Sequence, residues 1–127
     1  MSRYRPGECN IGKNEIRKRY ALGLVGIFVA GVLAAVVFWL SLPAWSLLSC
    51  FIPLFLGAEG IFQGYFHFCA GFAARRIFDF SGSSDEKGRV TEKEAHEVDM
   101  RKAMRINLYS LAMSAVVTAT IYFIAVV

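Results

Sequence analysis

The stretch Tyr20–Leu40, YALGLVGIFVAGVLAAVVFWL, decides the fold. It holds no Asp, Glu, Lys or Arg, and a run of about 20 apolar residues is what a helix needs to cross a hydrocarbon core of roughly 30 Å. Two further stretches have the same character, Trp45–Phe72 and Ile106–Val127. Across all 127 residues, 56% are hydrophobic, 19% are charged and the mean hydropathy is +0.47. Soluble domains carry nearer a quarter charged residues. The chain reads as all-α and polytopic, a single membrane domain of three transmembrane helices.

The segments between the spans set the topology. SLPAW, Ser41–Trp45, leaves room only for a tight turn with Pro43 as a helix stop, so the first two spans form an antiparallel hairpin. Pro53 marks an expected bend in the second span. Arg3, Arg5, Lys13, Arg17, Lys18 and Arg19 precede span 20–40. Arg75, Arg76, Lys87, Arg89, Lys93, Arg101, Lys102 and Arg105 lie between spans 45–72 and 106–127. Those are all 14 basic residues, and they fall on one side. By the positive-inside rule, segments 1–19 and 73–105 are cytoplasmic and the C-terminus lies outside. The reading is a multi-pass protein of a bacterial inner (plasma) membrane, with its first block retained as a span rather than cleaved as a signal. The net charge of +4 then reflects topology and anionic headgroups, not nucleic acid.

In the cytoplasmic segments, a helix opens near Asn14 as N-cap and runs into the first span. Phe78 and Phe80 are expected at the interface, and Ser81–Gly88 forms a turn. Thr91 with Glu94 suggests a capping box for a helix whose acidic residues, Asp99 among them, precede its basic ones. With no breaker after it, that helix continues into span 106–127, so the third helix extends into the cytoplasm.

The second span carries an unusual pattern, GAEGIFQGYFHFC from Gly57 to Cys69. Glu59, Gln63 and His67 recur every fourth residue and share one helix sector of about 80°. Gly57, Gly60 and Gly64 fill the adjoining sector, while Leu54, Ile61, Phe62, Tyr65 and Phe72 occupy the bulky side. Small and polar faces suit helix contacts in a membrane. Matching faces occur in the first span (Gly26, Ala30, Ala34) and in the third (Ser110, Ser114, Thr118). Counted from the ends, Glu59 comes level with Ser114 and Thr118.

Three functions follow from that stripe. The first is an accessory or structural subunit packing into a homo-oligomer or a larger membrane complex, with Glu59 as hydrogen-bonded glue. The second is a small homo-oligomeric channel or transporter using Glu59, Gln63 and His67. The third is a cofactor-holding subunit of a respiratory or photosynthetic complex, with His67 ligating haem or a chlorophyll-type pigment. His96, the other histidine, lies in the cytoplasmic helix, which disfavours bis-His haem within one chain. HFC is not a known metal spacing, so a Cys9, His67 and Cys69 metal cluster is not expected, nor is a disulfide framework from Cys9, Cys50 and Cys69. No nucleophile–base pair or phosphate loop is present, and segment 73–105 is too short for an enzyme domain. The expectation is a non-enzymatic protein without a cofactor, whose partners are the lipid bilayer and other membrane subunits or itself.

NIGKNEIRKRYALG (Asn10–Gly23), Trp45, PLFLGAEG (Pro53–Gly60) and Tyr65 resemble the small transmembrane hairpin attached to inner-membrane rhodaneses. The resemblance implies a hairpin fold that self-associates. Phe62 stands where that family has Cys, Gln63 where it has Pro, and a third span follows in place of a rhodanese domain. Sulfur handling is therefore not carried over.

Overall fold

The computed structural model describes residues 4–127; Arg3 and the two residues before it lie outside the described part. Helix α1 spans Lys13–Trp39, a 3-10 segment Ala44–Cys50 leads into α2 at Phe51–Phe66, and α3 is the short Ala70–Arg75. Strands β1 (Ile77–Asp79) and β2 (Lys87–Arg89) pair as an antiparallel hairpin, and α4 runs Lys93–Val126. The molecule is mostly helical, and α1, Ala44–Phe66 and α4 are long and apolar enough to cross a membrane. At about 1.5 Å per residue, the uninterrupted α4 is roughly 51 Å long.

Glycine decides how α1 meets α2. A Cβ on Gly26 would lie 2.6 Å from the Pro53 carbonyl oxygen and 2.7 Å from Gly57 Cα, and one on Gly60 would lie 2.5 Å from the Arg19 carbonyl oxygen. Successive contacts pair Arg19 with Gly60, Gly23 with Gly57 and Gly26 with Pro53, which is an antiparallel hairpin. Ala30 extends the seam, its carbonyl accepting from Cys50 Sγ at 3.6 Å, while Ala34 is half-buried. Gly64 meets the Tyr20 ring. On the other side of α2, the α4 face of Ala103, Ile106, Ser110, Ser114 and Thr118 is buried. The 3-10 segment gives way to α-helix at Phe51, two residues before Pro53. That proline sits in the first turn of α2, where a missing N–H removes no helical bond.

The second helix stops six residues short of the expected Phe72. His67 adopts a left-handed conformation (φ 55°, ψ 40°), the Phe68 N–H reaches the Gln63 carbonyl at 2.9 Å and the His67 N–H reaches Gly64 at 3.3 Å. This is the Schellman pattern with histidine where glycine is usual. It lets Phe68 turn into a core with Ala73, Ala103 and Ile106.

A clasp closes the end of the bundle that carries the basic residues. Asn10, fully buried, donates to the Cys69 carbonyl at 3.1 Å and accepts from the Cys69 N–H at 2.7 Å. Ile11 packs on Cys69 and Phe72, and Gly12 lies so close to the Phe80 backbone that a Cβ would come within 2.5 Å. Gly12, not Asn14, precedes α1, and the first amides of the helix are capped from far along the chain: Lys13 N–H donates to Ser83 Oγ and Asn14 N–H to the Ser81 carbonyl. Phe80, expected at an interface, is fully buried here, while Phe78 stacks on Tyr4. The Thr91–Glu94 box does not form; Glu92 precedes α4 without a side-chain cap. Asp99 is buried and accepts from the Tyr4 hydroxyl and, at 2.7 Å, from the Gly7 N–H. It anchors the N-terminal segment rather than patterning charge along α4.

Candidate functional site

The polar stripe converges where α2 faces α4. Glu59 is buried, and Gln63, one turn on, donates Nε2 to its carboxylate at 2.8 Å. The third partner, Asn107 on α4, is absent from the sequence reading. With its amide nitrogen assigned toward the carboxylate, it donates to the two Glu59 oxygens at 2.8 and 3.2 Å; the opposite assignment would set oxygen against oxygen. Ser110 Oγ lies beside the same carboxyl without good hydrogen-bond geometry. Two amides from two helices thus hold one carboxyl group, which leaves no buried carboxyl oxygen without a partner. The signal for Asn107 was its spacing, three residues before Ser110 and in phase with Ser114.

The carboxyl therefore sits against Asn107 and Ser110, not level with Ser114 and Thr118. Ser114 turns its hydroxyl back to the Ser110 carbonyl at 2.7 Å, and Thr118 Oγ1 is buried without a partner. These hydroxyls serve close packing. His67 leaves the stripe altogether, because the left-handed turn removes it from the α2 face; its carbonyl accepts from the Asn10 N–H at 3.2 Å.

A second cluster joins α1 to the α2–α3 bend. Arg19, a marker of topology in the sequence, is largely buried, pairs with Glu15 at 3.3 Å and donates to Cys69 Sγ at 3.0 Å, with its guanidinium 5.6 Å from the Phe72 ring centroid. Lys18 shares Glu15 at 3.1 Å. Burial pushes the Cys9 thiol up from its ordinary pKa. Burial also opposes ionisation of Asp79, but bonds from the Ser81 hydroxyl and N–H outweigh it and hold the carboxyl below its usual value. Burial and the Asp99 bond raise the Tyr4 phenol well above its normal range. Among the described residues, no three His, Cys, Asp or Glu side chains gather as a metal site. Among the described residues, the arrangement is one of helix contacts and of anchors between segments far apart in the chain. No family model, curated protein or solved structure matches this chain.

Proposed function

We propose that this chain is a three-helix integral protein of a bacterial inner membrane, with the N-terminal segment and 73–105 in the cytoplasm and the C-terminus outside. Its role is that of a non-enzymatic accessory or structural subunit. One observation carries the reading: the polar and glycine groups of the apolar helices face each other within the chain. Glu59 is held by Gln63 and Asn107, and Gly23, Gly26, Gly57 and Gly60 meet backbone. The outward faces are bulky and apolar, Leu24, Phe28, Trp39, Ile52, Phe123 and Ile124 among them. Such faces suit lipid or the helices of other subunits. Because Gly60 and Gly64 face α1, self-association would use the outer faces rather than this pair of glycines.

Glu59→Gln and Glu59→Leu test the role, with two reporter fusions testing topology. Glu59→Leu strands both amides and should weaken α2–α4 association by about 1–2 kcal/mol, whereas Glu59→Gln keeps one acceptor and should fall between it and wild type. Neither variant should alter proton or cation flux in reconstituted vesicles. A wild-type flux that disappears in Glu59→Gln with the fold intact would replace the structural role with transport. A cytoplasm-dependent reporter at Gly82 should be active and one at the C-terminus silent; the reverse would overturn the orientation.

A further inference from the structure

We propose that the outer groove between α2 and α4 binds an anionic phospholipid, its phosphate against Lys102 and Arg105 and an acyl chain along Phe66, Phe62 and Met113. The proposal rests on the membrane insertion argued above. On α4, Lys102, Arg105, Tyr109, Ala112 and Val116 recur at three- and four-residue intervals and so share one face. The face begins with cations and continues as an apolar stripe.

At its basic end, Arg101, Lys102 and Arg105 line a cleft of about 100 Å³ together with Gly7 and Val98. Lys102 Nζ stands 4.2 Å from the Phe66 ring centroid, which fixes the ammonium over the mouth of the groove. The ion pairs formed among the described residues are Arg5–Glu8, Lys18–Glu15 and Arg19–Glu15, so none of these three cations is in a direct ion pair; Asp99, whose carboxylate reaches the cleft at Gly7, is engaged by the Tyr4 hydroxyl and the Gly7 N–H. Below them lies an apolar groove of about 610 Å³, walled by Phe62, Phe66, Tyr109 and Val116. It meets a second cavity of about 370 Å³ that shares Phe62 and Met113 and reaches Leu54 and Val117. From Phe66 to Leu54 is twelve residues, roughly 18 Å of apolar trough.

A channel that is cationic at one end and apolar for the rest matches an amphiphile with an anionic head. A free phosphate would use the cleft and leave the groove unexplained. A second copy of the chain would bring its own apolar face and leave the cations unmatched. A zwitterionic lipid carries a cation of its own into the cleft. Attraction of about 1 kcal/mol for each Lys or Arg near the headgroup layer corresponds to roughly a fivefold preference per cation.

The test is native mass spectrometry of the full chain in mild detergent with equal phosphatidylglycerol and phosphatidylcholine. Phosphatidylglycerol adducts should predominate by about fivefold or more. Lys102→Gln/Arg105→Gln should bring the two lipids to parity, while Lys13→Gln/Arg17→Gln, which removes the same charge elsewhere, should leave the preference intact. Ala112→Trp, with Val116→Phe as a second obstruction, should reduce adducts of both lipids. Flotation of every variant with phosphatidylcholine vesicles reports insertion separately, so failure to insert is distinguished from loss of lipid choice. Equal losses from the two charge variants, displacement of the lipid by inorganic phosphate, or a two-chain species sensitive to Ala112→Trp but indifferent to lipid would each overturn the proposal.

Discussion

Replacing one hydrogen on Gly60 with a methyl group should separate two helices. The added Cβ would stand 2.5 Å from the Arg19 carbonyl oxygen and 2.8 Å from the Gly23 nitrogen, both backbone atoms that cannot rotate away. Ordinary contact begins near 3.4 Å, so α1 and α2 must part by about 0.9 Å at that point. A gap of 0.5–1 Å forfeits roughly a quarter to a half of each dispersion contact along the seam. Overpacking of this kind costs typically 1–3 kcal/mol, and Gly60→Ala belongs near the upper end because no side chain can yield. Gly64→Ala meets only the Tyr20 ring at 3.0 Å, which can tilt, and should cost less than about 1 kcal/mol. Gly31→Ala meets nothing within 4 Å and should be neutral, or stabilising by up to about 1 kcal/mol through helix propensity. Reversible unfolding by sodium dodecyl sulfate, followed by helical circular dichroism, ranks the four proteins. If Gly31→Ala loses as much stability as Gly60→Ala, or if Gly60→Ala unfolds with wild type, the seam is not backbone on backbone.

Asn10→Ala strands the Cys69 N–H and carbonyl in a buried site and should cost about 1–3 kcal/mol for each group left unpaired; a midpoint unchanged in the same unfolding assay would remove Asn10 from the clasp. Asp79, whose folded pKa lies below the unfolded value of about 3.9, lends stability above that pH and loses it as pH falls through the folded value. Hydrogen exchange at Lys13 and Asn14, whose amides depend on the Ser81–Ser83 turn, should therefore lose protection in acid below about pH 4, and Asp79→Asn should remove that step.

Elements set by local pattern were legible in the sequence. Apolar length marked the three helices, the lack of a breaker joined the acidic helix to the last one, and three- and four-residue spacing found Gly26, Gly57 and Gly60. What could not be read is held by partners far along the chain. Nothing near Lys13 announces that Ser83 caps its amide, and nothing near Asp99 announces Tyr4 and Gly7. Asn10–Ile11–Gly12 was visible only as part of a resemblance. The structure supplies the reason for each member: a side chain that bonds Cys69, a side chain in the core, and an absent Cβ beside Phe80.

The end of α2 explains why Glu59 meets Asn107 rather than Ser114 and Thr118. Counting from an expected end at Phe72 puts the carboxyl thirteen residues, roughly 20 Å, from the basic end. The helix ends at Phe66, seven residues or roughly 10 Å away, because His67 accepts a left-handed conformation without the glycine that usually signals it. That six-residue difference brings Glu59 to Asn107, two residues past Arg105 on α4. Toward the other end of the bundle, α2 offers Leu54, Pro53 and Ile52, and the hydroxyls of Ser114 and Thr118 form no link to the carboxyl. The Gln63 and Asn107 amides that grip the carboxyl tie α4 to α2 at one height, seven residues from the end of α2. On this argument, Asn107→Ala should release α4 from its register while leaving the glycine seam of α1 and α2 intact.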